Sequence, residues 1–169
     1  MFAIAPTTTT SLVQGGVSQG IEPIVSNSWI QKSANNTFIR YNNQFKHLVE
    51  TKYPEYNTAE FWEDMATTHQ GSVQHLDWLT ELEKEVFLTA YEINQLELVN
   101  NVALWQKYID QGISCNLFFQ PGTDAKWVNK VHLNAWEKGL KSLYYVRTDS
   151  ILNQYMGENS FKDCVFCEG

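Results

Sequence analysis

Apolar positions recur at helical spacing in three stretches of the chain. In TAEFWEDMATTH, residues 58–69, Phe61, Trp62, Met65 and Ala66 share one face. Thr58 is placed to cap the start, and Glu60, Glu63 and Asp64 fall in or near the first turns, where the helix dipole favours negative charge. The clearest run covers 80–110. Thr80 followed by Glu83 fits a capping box, and Leu82, Val86, Ala90, Ile93, Leu96, Val99, Val102 and Leu104 then recur at mostly helical spacing. The region around 94–101 either divides this run into two helices or leaves one long one, and Gly112 ends it. A third helix is predicted over 125–138, with Asp124 as its cap, Trp127, Val131, Leu133, Ala135 and Trp136 as apolar positions, and Gly139 at its close.

Shorter apolar runs punctuated by turn residues predict strands. MFAIA, residues 1–5, suits a buried strand that Pro6 breaks. ISCNLFF, 113–119, reads as a second, ended by Pro121-Gly122. Residues 142–147 read as a third. Between the first strand and the helices lies PTTTTS, 6–11, a hydroxyl-rich turn that opens a short helix or loop. Residues 24–45 mix apolar and amide side chains without a clean period. Strand, helix, strand, helix, strand is the order of an α/β fold with partly parallel strands. The globular part is assigned to residues 1–149 and a polar tail to 150–169.

The 169 residues suffice for one domain with a core, and at 43% hydrophobic and 18% charged the composition is that of a soluble globular protein. No apolar run is long enough for a membrane span, and the N-terminus lacks the basic start of a signal peptide, so a cytoplasmic setting is expected. The net charge of −7 comes without a basic block, which argues against a nucleic-acid partner. A phosphorylated small ligand remains compatible, because main-chain amides bind phosphate without net positive charge.

Three features carry candidate chemistry. The Thr-rich turn is either an anion cradle or a capped loop. Cys164 and Cys167 form a C-x-x-C on a polar tail; with no paired His or Cys spacing elsewhere to complete a zinc site, thiol–disulfide exchange is the favoured reading. Tyr144 and Tyr145 stand side by side in SLYYVRT, either as packed phenols or as a redox pair. Cys115 reads as a small buried residue, the Trp residues at 62, 78, 105, 127 and 136 as core, and Glu22 in GIEP is undecided between a surface carboxylate and a partner for a nearby turn.

Taken in order, AIAPTTTTS with GVSQGIEP, GSVQHL (71–76), IDQGISCNLFF (109–119), AWEKGLKSLYYVRT (135–148) and the terminal C-x-x-C resemble the C-terminal part of the class I ribonucleotide reductase large, catalytic subunit. The resemblance implies the C-terminal portion of that family's ten-stranded α/β barrel. It implies reduction of ribonucleoside di- or triphosphates to deoxyribonucleotides by radical chemistry. Thr7, Thr8, Thr9, Thr10 and Ser11 fall on the substrate-phosphate loop. Tyr144 and Tyr145 fall on the tyrosines that relay an electron, with proton movement, between the small subunit's radical and the active-site cysteine, which implies that the two rings stack. Cys164 and Cys167 fall on the tail pair that re-reduces the active site and is itself reduced by thioredoxin or glutaredoxin. The helix near 125–138 falls where the small subunit docks. No metal or cofactor is expected on this chain, the dimetal and tyrosyl-radical centre belonging to the small subunit.

The family's radical-bearing cysteine has no counterpart here, and Cys115 lies outside its position. The expectation is therefore a split enzyme of phage type, in which a separate N-terminal polypeptide completes the barrel. Two other readings compete: a non-catalytic decoy that binds the small subunit, which would need no C-x-x-C, and an unrelated thiol-redox module, which would need a thioredoxin-like opening.

Overall fold

In a computed structural model the structure describes residues 1–32 and 36–148. The tail assigned to 150–169, with Cys164 and Cys167, lies outside the described residues.

The N-terminal segment is extended, and Ile4 forms a parallel bridge with Ile113. It is not the buried strand that its composition predicts: Met1 and Phe2 are 94% and 69% exposed, because among the described residues the segment is bridged along one edge only. A short helix α1, Thr8–Val13, follows.

The unpatterned region forms an antiparallel hairpin, β1 (Ser28–Lys32) and β2 (Thr37–Tyr41), which leads into α2, Asn43–Lys52. The Asn42 side chain accepts the Gln44 N–H and caps α2. After a 3₁₀ turn comes α3, Ala59–Thr67, capped by Thr58 as predicted, with Trp62 and Met65 turned inward. Phe45, Val49, Trp62, Met65, Val73, Leu76 and Leu79 form one core cluster. Its aromatic members pack edge to face, Tyr41 on Trp62 at 4.7 Å and Phe45 on Phe87 at 5.0 Å between centroids.

Polar groups inside this lobe are paired. Asn27 Nδ2 donates to the carbonyls of Gly71 and Phe87, Asn27 Oδ1 accepts from Asn42 Nδ2, and Ser28 Oγ donates to the Trp62 carbonyl. Gly71 is required where it meets this hub. Its φ is +75°, and an added Cβ would lie 1.9 Å from Ser26 Oγ.

The long helical run divides in two, and earlier than the pattern suggests. The capping box of Thr80 and Glu83 opens α4, Glu81–Val86; turns occupy 87–94, and α5 runs from Gln95 to Gln106. The break falls where Thr89 and Asn94 offer local bonds: Thr89 donates to Glu92, and Asn94 caps α5. Strand β3 is Leu117–Phe119. Helix α6, Ala125–Glu137, is capped by Asp124, and Gly139 follows it at φ +79°. Strand β4, Val146–Thr148, pairs in parallel with β3. It begins later than predicted, residues 142–145 being irregular.

Helix α6 packs on α5 through Val131 and Ala135, which join Val99, Leu117 and Phe119 in a second cluster. Trp127 packs partly buried against the same cluster, but Trp136 is 76% and Leu133 49% exposed, and Trp105 on α5 is 56% exposed. Helical spacing alone cannot separate these from core positions, since α5 and α6 carry apolar residues on more than one face. Among the described residues no helix is long and apolar enough to cross a membrane.

Candidate functional site

The segment from 111 to 119 is the centre of the site. On one edge it receives the N-terminal segment, through Gln111 N–H to the Phe2 carbonyl and Ser114 N–H to the Ile4 carbonyl. On the other it receives the tyrosine segment, through Tyr144 N–H to the Cys115 carbonyl and Leu117 N–H to the Tyr145 carbonyl. Alternate residues of an extended segment send their main-chain groups to opposite edges, so the Thr-rich turn leaves one side of this segment as the tyrosine pair arrives on the other.

The turn is unusual at Thr7, which adopts the left-handed conformation (φ 54°). For a β-branched residue this costs on the order of 1–2 kcal/mol. Its Oγ1 accepts the Gly20 N–H at 2.9 Å and does not cap α1. The opening amides of a helix have no carbonyl one turn back, so those of Thr8, Thr9 and Thr10 stand at an uncapped helix start. All four threonines are exposed. Thr8 Oγ1 donates to Gln19 Oε1, and Ser11, alone of the five predicted residues, is buried, its hydroxyl donating to the Thr8 carbonyl. Ser11 thus holds the turn from inside.

Tyr144 and Tyr145 lie next to each other with ring centroids 4.1 Å apart. The rings are tilted by 48° and not stacked flat. Both precede β4, in irregular backbone where neighbouring side chains need not point to opposite faces. They are 46% and 52% exposed, more open than core phenols. The Arg147 guanidinium lies over the Tyr145 ring, 5.0 Å from its centroid.

Glu22 is resolved in favour of a buried partner, 5% exposed and bonded to Asn116. Burial pushes its carboxyl above the usual carboxylate range, while the two Asn116 bonds and Arg147 oppose that rise. Cys115 is fully buried, and burial, with Glu22 nearby, pushes its thiol up to about 12, so it is inert as a nucleophile at neutral pH. Between Glu22, Ile24, Trp29, Phe118 and Arg147 lies a groove of about 420 Å³. Sequence reasoning held Asn116 only as a member of the motif IDQGISCNLFF and gave it no role of its own. The available signal is its placement as a lone amide inside the apolar run ISCNLFF.

Comparison with known proteins identifies the family of the chain. Residues 1–146 match the family described as ribonucleotide reductase, barrel domain. The chain is 42% identical to the ribonucleoside-diphosphate reductase large subunit of Invertebrate iridescent virus 3, over 100% of its own length and 28% of that protein. It is 33% identical to the ribonucleoside-diphosphate reductase subunit alpha of Chlamydia pneumoniae, over 96% of its length and 15% of that protein. Among solved structures it resembles the class Id ribonucleotide reductase alpha subunit of Actinobacillus ureae, with a TM-score of 0.73 and 41% identity, covering 86% of this chain and 26% of that one. The chain thus spans less than a third of these relatives.

Proposed function

The chain belongs to the ribonucleotide reductase barrel-domain family, and we propose that it supplies part of the catalytic large subunit of an enzyme reducing ribonucleoside diphosphates to deoxyribonucleotides. The observation that carries this reading is the contact of two exposed phenols, 4.1 Å apart, on the segment that the Thr-rich turn also joins.

In this reading the amides and hydroxyls of Thr7 to Thr10 receive the substrate's phosphates, with Ser11 bracing the turn. Tyr144 and Tyr145 relay an electron between a small subunit and the cysteine at which reduction begins, each phenol giving up its proton as it is oxidised. The remainder of the large-subunit barrel covers the exposed edge of residues 1–5 and contributes that cysteine. The small subunit docks on α6, where exposed Leu133 and Trp136 offer an apolar face. Cys164 and Cys167 return electrons to the active site and receive them from thioredoxin or glutaredoxin.

The test is Tyr145→Phe in the assembled enzyme, with the remaining large-subunit sequence and the small subunit present. Phenylalanine keeps the ring and removes the oxidisable phenol. Turnover of a ribonucleoside diphosphate is lost while assembly on a sizing column is unchanged. Full turnover in this variant would remove the relay role. Assembly without turnover in the unmodified protein would instead favour a decoy for the small subunit.

A further inference from the structure

Asn116 Oδ1 accepts the main-chain N–H of Tyr145 at 2.9 Å. A main-chain N–H only donates, so the Asn116 amide must present its oxygen there. Its Nδ2 is thereby turned the other way, and Nδ2 also only donates. It meets Glu22 Oε2 at 3.2 Å, while the Asn116 main-chain N–H meets Glu22 Oε1 at 2.7 Å. Glu22 therefore faces two donors at once, in a buried position. An ionised carboxylate, with two accepting oxygens, answers both. A carboxamide in the same place answers one and opposes the other with its own N–H. The same carboxylate faces Arg147 across the groove, and Arg147 lies over the Tyr145 ring.

We propose that Glu22 is a positioning residue for Tyr145. It fixes the Asn116 amide in the one orientation that holds the Tyr145 main chain, and it balances the Arg147 charge against the ring. This rests on the reading of Tyr144 and Tyr145 as a functional pair. It adds a residue on the segment following the Thr-rich turn that acts on Tyr145 through Asn116.

The donor and acceptor pattern makes a specific variant decisive. Glu22→Gln leaves Asn116 Nδ2 against a second N–H. Glu22→Gln combined with Asn116→Asp exchanges the two groups: the new carboxylate accepts from both Tyr145 N–H and the Gln amide, and the Gln oxygen accepts the main-chain N–H of position 116. Every bond returns and net charge is unchanged.

The probe is fluorine NMR of the full 169-residue chain carrying 3-fluorotyrosine at position 145. Glu22→Gln displaces the signal by more than its linewidth, and the double exchange returns it to the wild-type position. In the assembled enzyme Glu22→Gln lowers kcat by about a hundredfold, the scale of a misplacement of about 1 Å, with KM unchanged, and the exchange restores it. An unmoved signal in Glu22→Gln overturns the proposal, as does a signal that the exchange fails to restore. Should Glu22→Gln lose its fold by circular dichroism, the double exchange decides alone: a folded chain with the wild-type signal supports the proposal, and anything else overturns it. Full turnover in Tyr145→Phe would sink the relay reading, while the fluorine result would still report on Glu22.

Discussion

The lobe of residues 27–90 and the edge formed by 1–5, 111–119 and 144–148 treat their side chains in opposite ways. The lobe closes on itself. Its seven core residues are each under a tenth exposed, and its buried amides find carbonyls and each other. The edge leaves Met1, Phe2, Tyr144 and Tyr145 open to solvent, and the turn that follows residues 1–5 sets Thr7, a β-branched residue, in the left-handed region. A region that satisfies its own polar and apolar groups has its residues explained by folding. A region that leaves large apolar and aromatic side chains open to solvent has them explained by something it is to meet, which in the reading proposed above is the rest of a barrel and a substrate.

Substitutions that break this contrast have graded effects. The largest is in the lobe's centre. Trp62→Ala removes the ring that Tyr41, Phe45 and Phe61 pack against and is expected to cost about 4 kcal/mol in denaturant unfolding. A loss below about 1 kcal/mol would mean the lobe is not packed as one core. Next is Asn27→Ala, which leaves the Phe87 carbonyl and the Asn42 amide unpaired inside the lobe, at about 2 kcal/mol. Asn27→Ala with Asn42→Ala should cost less than the sum of the two single changes, which a double-mutant cycle measures.

A smaller effect depends on pH. Burial works against ionisation of Glu83, but bonds from Lys52, Thr80 and Tyr53 outweigh it and hold the carboxyl at about 2, below its ordinary 4.5. A depressed carboxyl stabilises the fold above its unfolded value, and that contribution is lost as pH falls from 4.5 towards 2. The melting temperature of the lobe should drop through that window, and Glu83→Gln should flatten the drop.

The smallest stability effect is expected where the largest functional one is. Tyr145→Phe should alter unfolding by less than about 0.5 kcal/mol, since an exposed hydroxyl supports little. Equal stability losses at Trp62 and Tyr145 would erase the contrast.

The sequence made the capped helices legible because their signals are local. Thr58, Thr80 and Asp124 each bind an amide two or three residues on, and those caps stand where the pattern set them. The hairpin of 28–41 was illegible because its stability comes from α3 and from the bonds that the adjoining Asn27 makes to Gly71 and Phe87, all distant in sequence. The site divides in the same way. The Thr-rich turn and the tyrosine pair are contiguous motifs. Glu22 and Asn116 come together only through the fold, 94 residues apart, and neither carries a spacing that would announce the other.

That last pairing has a consequence for inheritance. Because one position must accept where the other donates, neither can drift alone between acid and amide without leaving two donors, or two carboxylates, face to face. Among related chains the two should behave as a single character, passing together as acid with amide or, in an exchanged lineage, as amide with acid.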